Sequence, residues 1–233
     1  MIVSRFHPSG FRQSRLRQRL LAAALGAACL TAAAFAIAGD PSPQVVAVRD
    51  RWAEVNYSTP KAQREAAFEA LAKQAAAARS AQPKDANALV WEGIVLSSYA
   101  GERGGLGAMG LAKQAKADFE QAIKLDPNAL DGSAYTSLGV LYYQVPGWPI
   151  GFGDDDKARE LLRKGLQANP NGIDSNYFYG DFLHRQGDWK GAAAALEKAL
   201  AAPARPGREL ADQGRRKEVA ALLAKVRTKL AAR

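Results

Sequence analysis

His184 is the one histidine beyond the first forty residues, since the other is His7, and the single cysteine is Cys29. Nucleophilic catalysis needs a base held against a nucleophile, and a solitary imidazole with no thiol in the body of the chain supplies no such pair. Asp154, Asp155 and Asp156 look like a cation cluster, yet they lack the alternating ligands and terminal Glu of a calcium loop. They suit a helix start instead, with Asp154 capping the first turn and the next two opposite its positive end. Gly104, Gly105, Gly107 and Gly110 invite comparison with a phosphate cradle. They follow a helical pattern rather than a strand, and no Gly-Lys-Ser/Thr comes after them. These patterns predict no enzyme, no cofactor and no metal.

What remains is recognition by aromatic side chains. Residues 145–154, Val-Pro-Gly-Trp-Pro-Ile-Gly-Phe-Gly-Asp, stand between two segments of helical spacing. Pro and Gly at this density stop a helix. Trp148 and Phe152 make the stretch too apolar for a plain solvated linker, so it reads as an ordered loop with packed rings. Trp148 is then either part of a binding surface or a structural plug.

The net charge is +9, but Arg5, Arg12, Arg15, Arg17 and Arg19 all precede the first acidic residue, Asp40. The excess belongs largely to the N-terminus, and no basic motif with interleaved aromatics follows, so no nucleic-acid partner is expected. Residues 20–38 form an uncharged, mostly apolar run ending in Ala36-Ile37-Ala38. That is the layout of a secretory signal peptide over residues 1–38, which places the mature chain in the periplasm. An uncleaved segment of this length would instead anchor the protein to the inner membrane. Cys29 lies inside the run, with Leu25 four positions before it, so lipidation is not expected.

Hydrophobic residues make up 48% of the chain and aromatics only 8%, so a few large side chains must fill a core otherwise built from alanine. Helical spacing is nearly continuous. First helices are expected at 87–99, 133–144 and 175–186, second helices at 111–125, 155–168 and 190–201. A helical hairpin spans residues 39–85, and a C-terminal capping helix lies within 205–233, at 209–231. Arg215, Arg216, Lys217, Lys225, Arg227 and Lys229 are expected to form its solvated face.

Gly180, Leu183, Gly187, Ala192, Leu196 and Ala199 carry the small and apolar offsets of a repeated hairpin, and Ala115, Phe119, Ala122 and Pro127 repeat half of it. Tyr135, Leu138, Gly139 and Tyr142 match its first helix. Over residues 86–204 the chain resembles a tetratricopeptide-repeat protein with three repeats. The resemblance implies an all-α solenoid with N- and C-terminal capping helices. The Gly-to-Ala span is longer from Gly139 to Ala158 and from Gly93 to Ala115 than from Gly180 to Ala192. Two inter-helix loop insertions are therefore expected, at 101–110 and 145–154, in contact and roofing one end of the concave groove.

Repeats of this kind hold a partner protein or peptide in that groove. Stepping along the first helices places Thr136, Val140 and Tyr143, then Tyr177, Asp181 and His184, on the concave face. These residues, with Trp148 and Phe152, are the candidate site. The insertions, together with Leu125-Asp126-Pro127 and 177–181, also resemble the accessory component of TRAP-type transporters. That implies a transporter partner, or a small ligand held under the aromatic loop.

Overall fold

A computed structural model describes residues 41–232. The expected signal segment and Cys29 lie outside the described residues. Helix follows helix: α1 (Pro43–Ser58), α2 (Lys61–Ala81), α3 (Ala86–Arg103), α4 (Gly105–Leu125), α5 (Ala129–Gln144), α6 (Asp155–Ala168), α7 (Ile173–Arg185), α8 (Trp189–Leu200) and α9 (Glu209–Ala231). Among the described residues there is no strand, only an isolated bridge between Gly147 and Gly153. None of the described helices is long and apolar enough to cross a membrane.

Local chemistry sets several of the boundaries. Ser42 accepts a hydrogen bond from the Val45 amide and Pro43 opens α1, where its missing N–H costs nothing. Asp85 caps α3, Asp188 caps α8, and Asp154 accepts from the amides of Asp156 and Lys157. The aspartate triplet is therefore the helix start its spacing suggested.

Consecutive helices pair as hairpins, and one contact recurs in three of them. A Cβ built on Gly93 would stand 2.5 Å from the ring of Phe119. On Gly139 it would stand 2.8 Å from Leu162, and on Gly180 2.8 Å from Leu196. In each hairpin a glycine of the first helix admits a large residue of the second, and the helices close to van der Waals packing. Phe119, Leu162 and Leu196 are accordingly almost fully buried. A second cluster joins α1 and α2 to the adjoining face of α3 through Val55, Phe68, Leu71 and Trp91.

Two features depart from the sequence expectation. Residues 101–110 are not a loop: α3 runs through Gly101 to Arg103, and α4 resumes at Gly105 after a single break at Gly104, whose φ is +63°. Glycine inside a helix costs only about 1 kcal/mol. The extension is also tied down, because Glu102 pairs with Lys61 at 2.5 Å and with Arg64 at 3.7 Å, both on α2.

The second departure concerns α9, which is not simply a polar cap. It packs on α8 and also reaches α7 and α1. Gly214 lies against the ring of Tyr57 on α1, where no larger residue would fit. Arg215 is buried rather than solvated, and Arg216 donates to the carbonyls of Leu200 and Ala202 at the end of α8. Lys217, Lys225, Arg227 and Lys229 are exposed, as expected of a capping face.

Candidate functional site

The first helix of each of the four hairpins contributes to one concave surface, and α9 with the segment before it closes one side. Together they bound a cavity of about 420 Å³. The α5 wall is Ser133, Ser137, Val140 and Gln144, a stripe at helical spacing. Trp52, Trp91, Ile94 and Phe178 supply apolar wall, and Arg205, Arg208 and Arg215 supply charge. Leu130 and Asp131 also line it, at φ of +49° and +56°, immediately before Gly132 at +71°. Left-handed backbone at non-glycine residues costs roughly 1–2 kcal/mol each. The surrounding packing therefore holds this turn against the cavity.

Charge is arranged unequally around the arginines. Arg205 donates to Asp174 and Asp212, both at 2.8 Å, and Arg215 donates to Asp174 at 2.7 Å and to Glu218 at 2.5 Å. Burial alone would raise the Asp174 pKa, but Arg215 and Arg205 hold it well below the usual carboxylate range. Burial would likewise depress Arg205 and Arg215, yet their carboxylate partners leave both raised. Arg208 goes the other way. Burial, and then the neighbouring Arg205, pull its pKa down to about 10.

The six residues singled out from sequence do not line this cavity. Trp148 is 90% exposed, so it is neither buried plug nor groove wall. Phe152 is half-buried, edge-on to Tyr142 at 5.6 Å. The loop is ordered as expected: Gly153 donates to Pro146 at 2.9 Å and Asp154 to Tyr142 at 2.9 Å. The two insertions do meet, through Met109 against Gly151.

The other four residues join neighbouring helices. Tyr143 on α5 donates to Asp181 on α7 at 2.8 Å, and burial, then Asp181, raise its pKa well above the ordinary phenol value. Tyr177 packs under the Arg215 guanidinium, 4.6 Å from the ring centroid. His184 lies edge-on to Trp189 at 5.2 Å, and its buried Nδ1 has no hydrogen-bond partner. Of the residues placed on the concave face, Thr136 and Val140 are there.

Gly139 and Gly180 turn toward the second helices; of the positions counted from Gly139, Thr136 and Val140 reach the cavity and Tyr143 does not, and those counted from Gly180 do not. The serines Ser97, Ser98, Ser133 and Ser137, small and polar on otherwise apolar first helices, are a sequence signal for the cavity-lining face. Nothing local marked Trp52, Asp174 or the arginines, which meet only after α9 folds back.

Comparison with known proteins bears on the fold. The tetratricopeptide repeat family matches residues 106–129, which covers most of α4. No curated protein matches the sequence. Among solved structures, a thermophilic TPR protein from Thermus thermophilus is similar at 23% identity and a TM-score of 0.50. That alignment covers 69% of this chain and 82% of that one. MamA aligns at 17% identity over 73% of this chain and 92% of its own, with a TM-score of 0.42. The family match and the Thermus structure make the fold a tetratricopeptide-type solenoid.

Proposed function

We propose that this protein is a periplasmic scaffold that seats a segment of a partner protein or peptide in its concave cavity. The cavity itself carries the reading: the first helices of four hairpins line it with serine hydroxyls and apolar rings, and α9 with the segment before it adds arginine, a mixture that suits a polypeptide. The tetratricopeptide-type fold supports it, because proteins of this fold commonly hold protein partners. Export rests on the Arg-rich start and the apolar run to Ala38. Trp148, with Ile150 at 73% exposure beside it, provides a second contact at the loop edge.

A photo-crosslinking side chain at Ser137 tests the reading in the exporting cell. A specific adduct from Ser137, absent from the same group at exposed Glu160, is the expected result. Adducts from Glu160 alone would move the site off the concave face. N-terminal sequencing of the exported chain is expected to begin near Gly39.

A second reading is a small-ligand accessory component of a TRAP-type transporter. The size of the cavity favours it, because about 420 Å³ lies within the range of small-molecule sites. Native mass spectrometry separates the two, with a co-purifying small molecule counting for the transporter reading.

A further inference from the structure

We propose that one end of the concave cavity is an anion subsite, in which Arg208, lying over Trp91, receives the carboxylate of a ligand whose apolar body rests along Trp52, Ile94 and Phe178. The proposal rests on the concave cavity being the binding site, and it adds the ligand chemistry.

Three arginines line the cavity, and two are fully engaged. Arg205 holds Asp174 and Asp212, and Arg215 holds Asp174 and Glu218. The Arg208 side chain has neither a carboxylate nor a carbonyl partner among the described residues. Its guanidinium stands 5.4 Å from the centroid of the Trp91 ring. The side chain is half-buried, and Trp91 beneath it is 4% exposed. A partly desolvated cation with no anion in hydrogen-bond contact is an unfavourable arrangement, which Asp174 and Asp212 ease only from a distance. Cation–π contact with the indole recovers only part of the lost hydration, roughly 0.5–2 kcal/mol.

The depressed pKa of Arg208 has the same origin, and it is opposite in direction to those of Arg205 and Arg215. An incoming anion would offset both the desolvation and the repulsion from Arg205.

The surroundings select the kind of anion. A guanidinium edge presents two parallel N–H donors that match the two oxygens of a carboxylate. Asp174, Asp212 and Glu218 close by penalise a dianion more than a monoanion, which disfavours a phosphate monoester. Trp52 and Trp91 lie 6.0 Å apart, and Asn56, one turn on from Trp52, adds an uncommitted amide at this end. The fitting ligand is an apolar monocarboxylate, which is either a free organic acid or the C-terminus of a polypeptide with apolar last residues.

Titration followed by tryptophan fluorescence tests this on the purified protein, since Trp52 and Trp91 line the cavity. The probes are 3-phenylpropionate and 3-phenylpropionamide, and a tetrapeptide ending in Leu-Phe with a free or an amidated C-terminus. At least one acid is expected to bind about tenfold or more tighter than its amide, a charge-assisted hydrogen bond's worth of preference. Arg208→Gln is expected to abolish that preference by bringing acid affinity down to that of the amide, and Arg208→Lys to keep part of it. Unaltered circular dichroism confirms the fold, and the Lys variant carries the test if the Gln variant does not fold. Binding of the small acid identifies a free organic acid as the source. Binding of the free peptide alone identifies a polypeptide terminus.

Equal affinity for acid and amide, no binding of either acid, or a preference that survives Arg208→Gln overturns the subsite. Equal affinities, or Ser137 adducts without acid binding, would leave the concave scaffold reading standing. Arg208-dependent acid binding without Ser137 adducts would reverse that, sinking the partner scaffold and keeping the subsite.

Discussion

Arg215 on the concave side is 8% exposed, whereas Trp148 on the loop edge is 90% exposed. A charged side chain is inside and a large ring is outside, against the usual ranking of either type. The reason on the concave side is partners: Asp174, Glu218 and the rings of Tyr177 and Phe178 surround the guanidinium. On the edge, the loop spends its hydrogen bonds on itself, and Phe152 takes the packing position against Tyr142, so Trp148 has nothing to lie on. Burial follows the partners that the backbone brings within reach, and residue type decides only what exposure costs.

The largest test breaks the ion pairs around buried Arg215. Asp174→Ala leaves Arg205 and Arg215 short of their shared carboxylate. Stripping one partner from a buried ion pair typically costs about 3–5 kcal/mol. Arg215 is buried but Asp174 and Arg205 are partly exposed, and Glu218 and Asp212 remain, so a loss at or just below the lower figure is expected in urea denaturation. The sign with pH follows from the lowered Asp174 pKa. Its stabilisation is fully present above the unfolded carboxylate value of about 4 and is lost as pH falls through and below it. In Asp174→Ala this acid-limb loss should shrink.

Much of this architecture is legible in the residue pattern, and the exceptions share a cause. The α6 boundary and its Asp154 cap, the α9 limits and the paired glycines rest on contacts local in sequence or repeated along it. Residues 101–110 and 145–154 look alike by glycine content, yet only the second keeps a loop. Proline at 146 and 149 removes donors and fixes φ, which helix cannot absorb, whereas glycine is merely costly there. The cavity depends on α9 folding back to Tyr57, a contact far apart in the chain that no periodicity encodes. On the concave face, Thr136 and Val140 follow from helical spacing, whereas Tyr143, Tyr177 and His184 are turned to neighbouring helices by contacts that spacing does not encode.

Phe152→Ala is the next largest effect. The ring is half-buried at the edge, 5.6 Å from Tyr142 and 5.8 Å from the Lys116 ammonium. Truncating a fully buried Phe costs about 3–5 kcal/mol, so a loss of about 2 kcal/mol is expected here. A loss as large as that of Asp174→Ala would make the edge a structural equal of the concave side.

A third carboxylate sharpens the contrast, because Asp118 on α4 is buried without the partners that Asp174 has. Its Oδ2 has no hydrogen bond. Burial, then the nearby Glu92, raise its pKa to about 7, with Arg79 opposing weakly. Glu92 is raised as well, by burial, and meets Arg79 at 3.6 Å. A raised carboxyl keeps its proton in the folded state, so stability is fully present below about pH 4 and declines as pH rises to about 7. Asp118→Asn is expected to flatten that decline and to add about 1 kcal/mol at pH 8, read from denaturation midpoints across pH.

The smallest effect on stability belongs to Trp148→Ala. With 90% of its surface already in water, the indole has almost no burial to lose. The change should stay within about 0.5 kcal/mol, as for other surface substitutions. Phe152→Ala in the same loop is the control, since it must lower the midpoint while Trp148→Ala does not. An exposed Trp beside an exposed Ile150 is an uncommon use of surface, and a large ring desolvated by a partner is a frequent source of binding energy. In the photo-crosslinking assay at Ser137, Trp148→Ala should therefore reduce partner capture several-fold at unchanged melting temperature. Unchanged capture would confine recognition to the concave cavity. A midpoint that falls with capture intact would mean that the ring packs in solution, and the contrast between edge and concave side would fail at its exposed end.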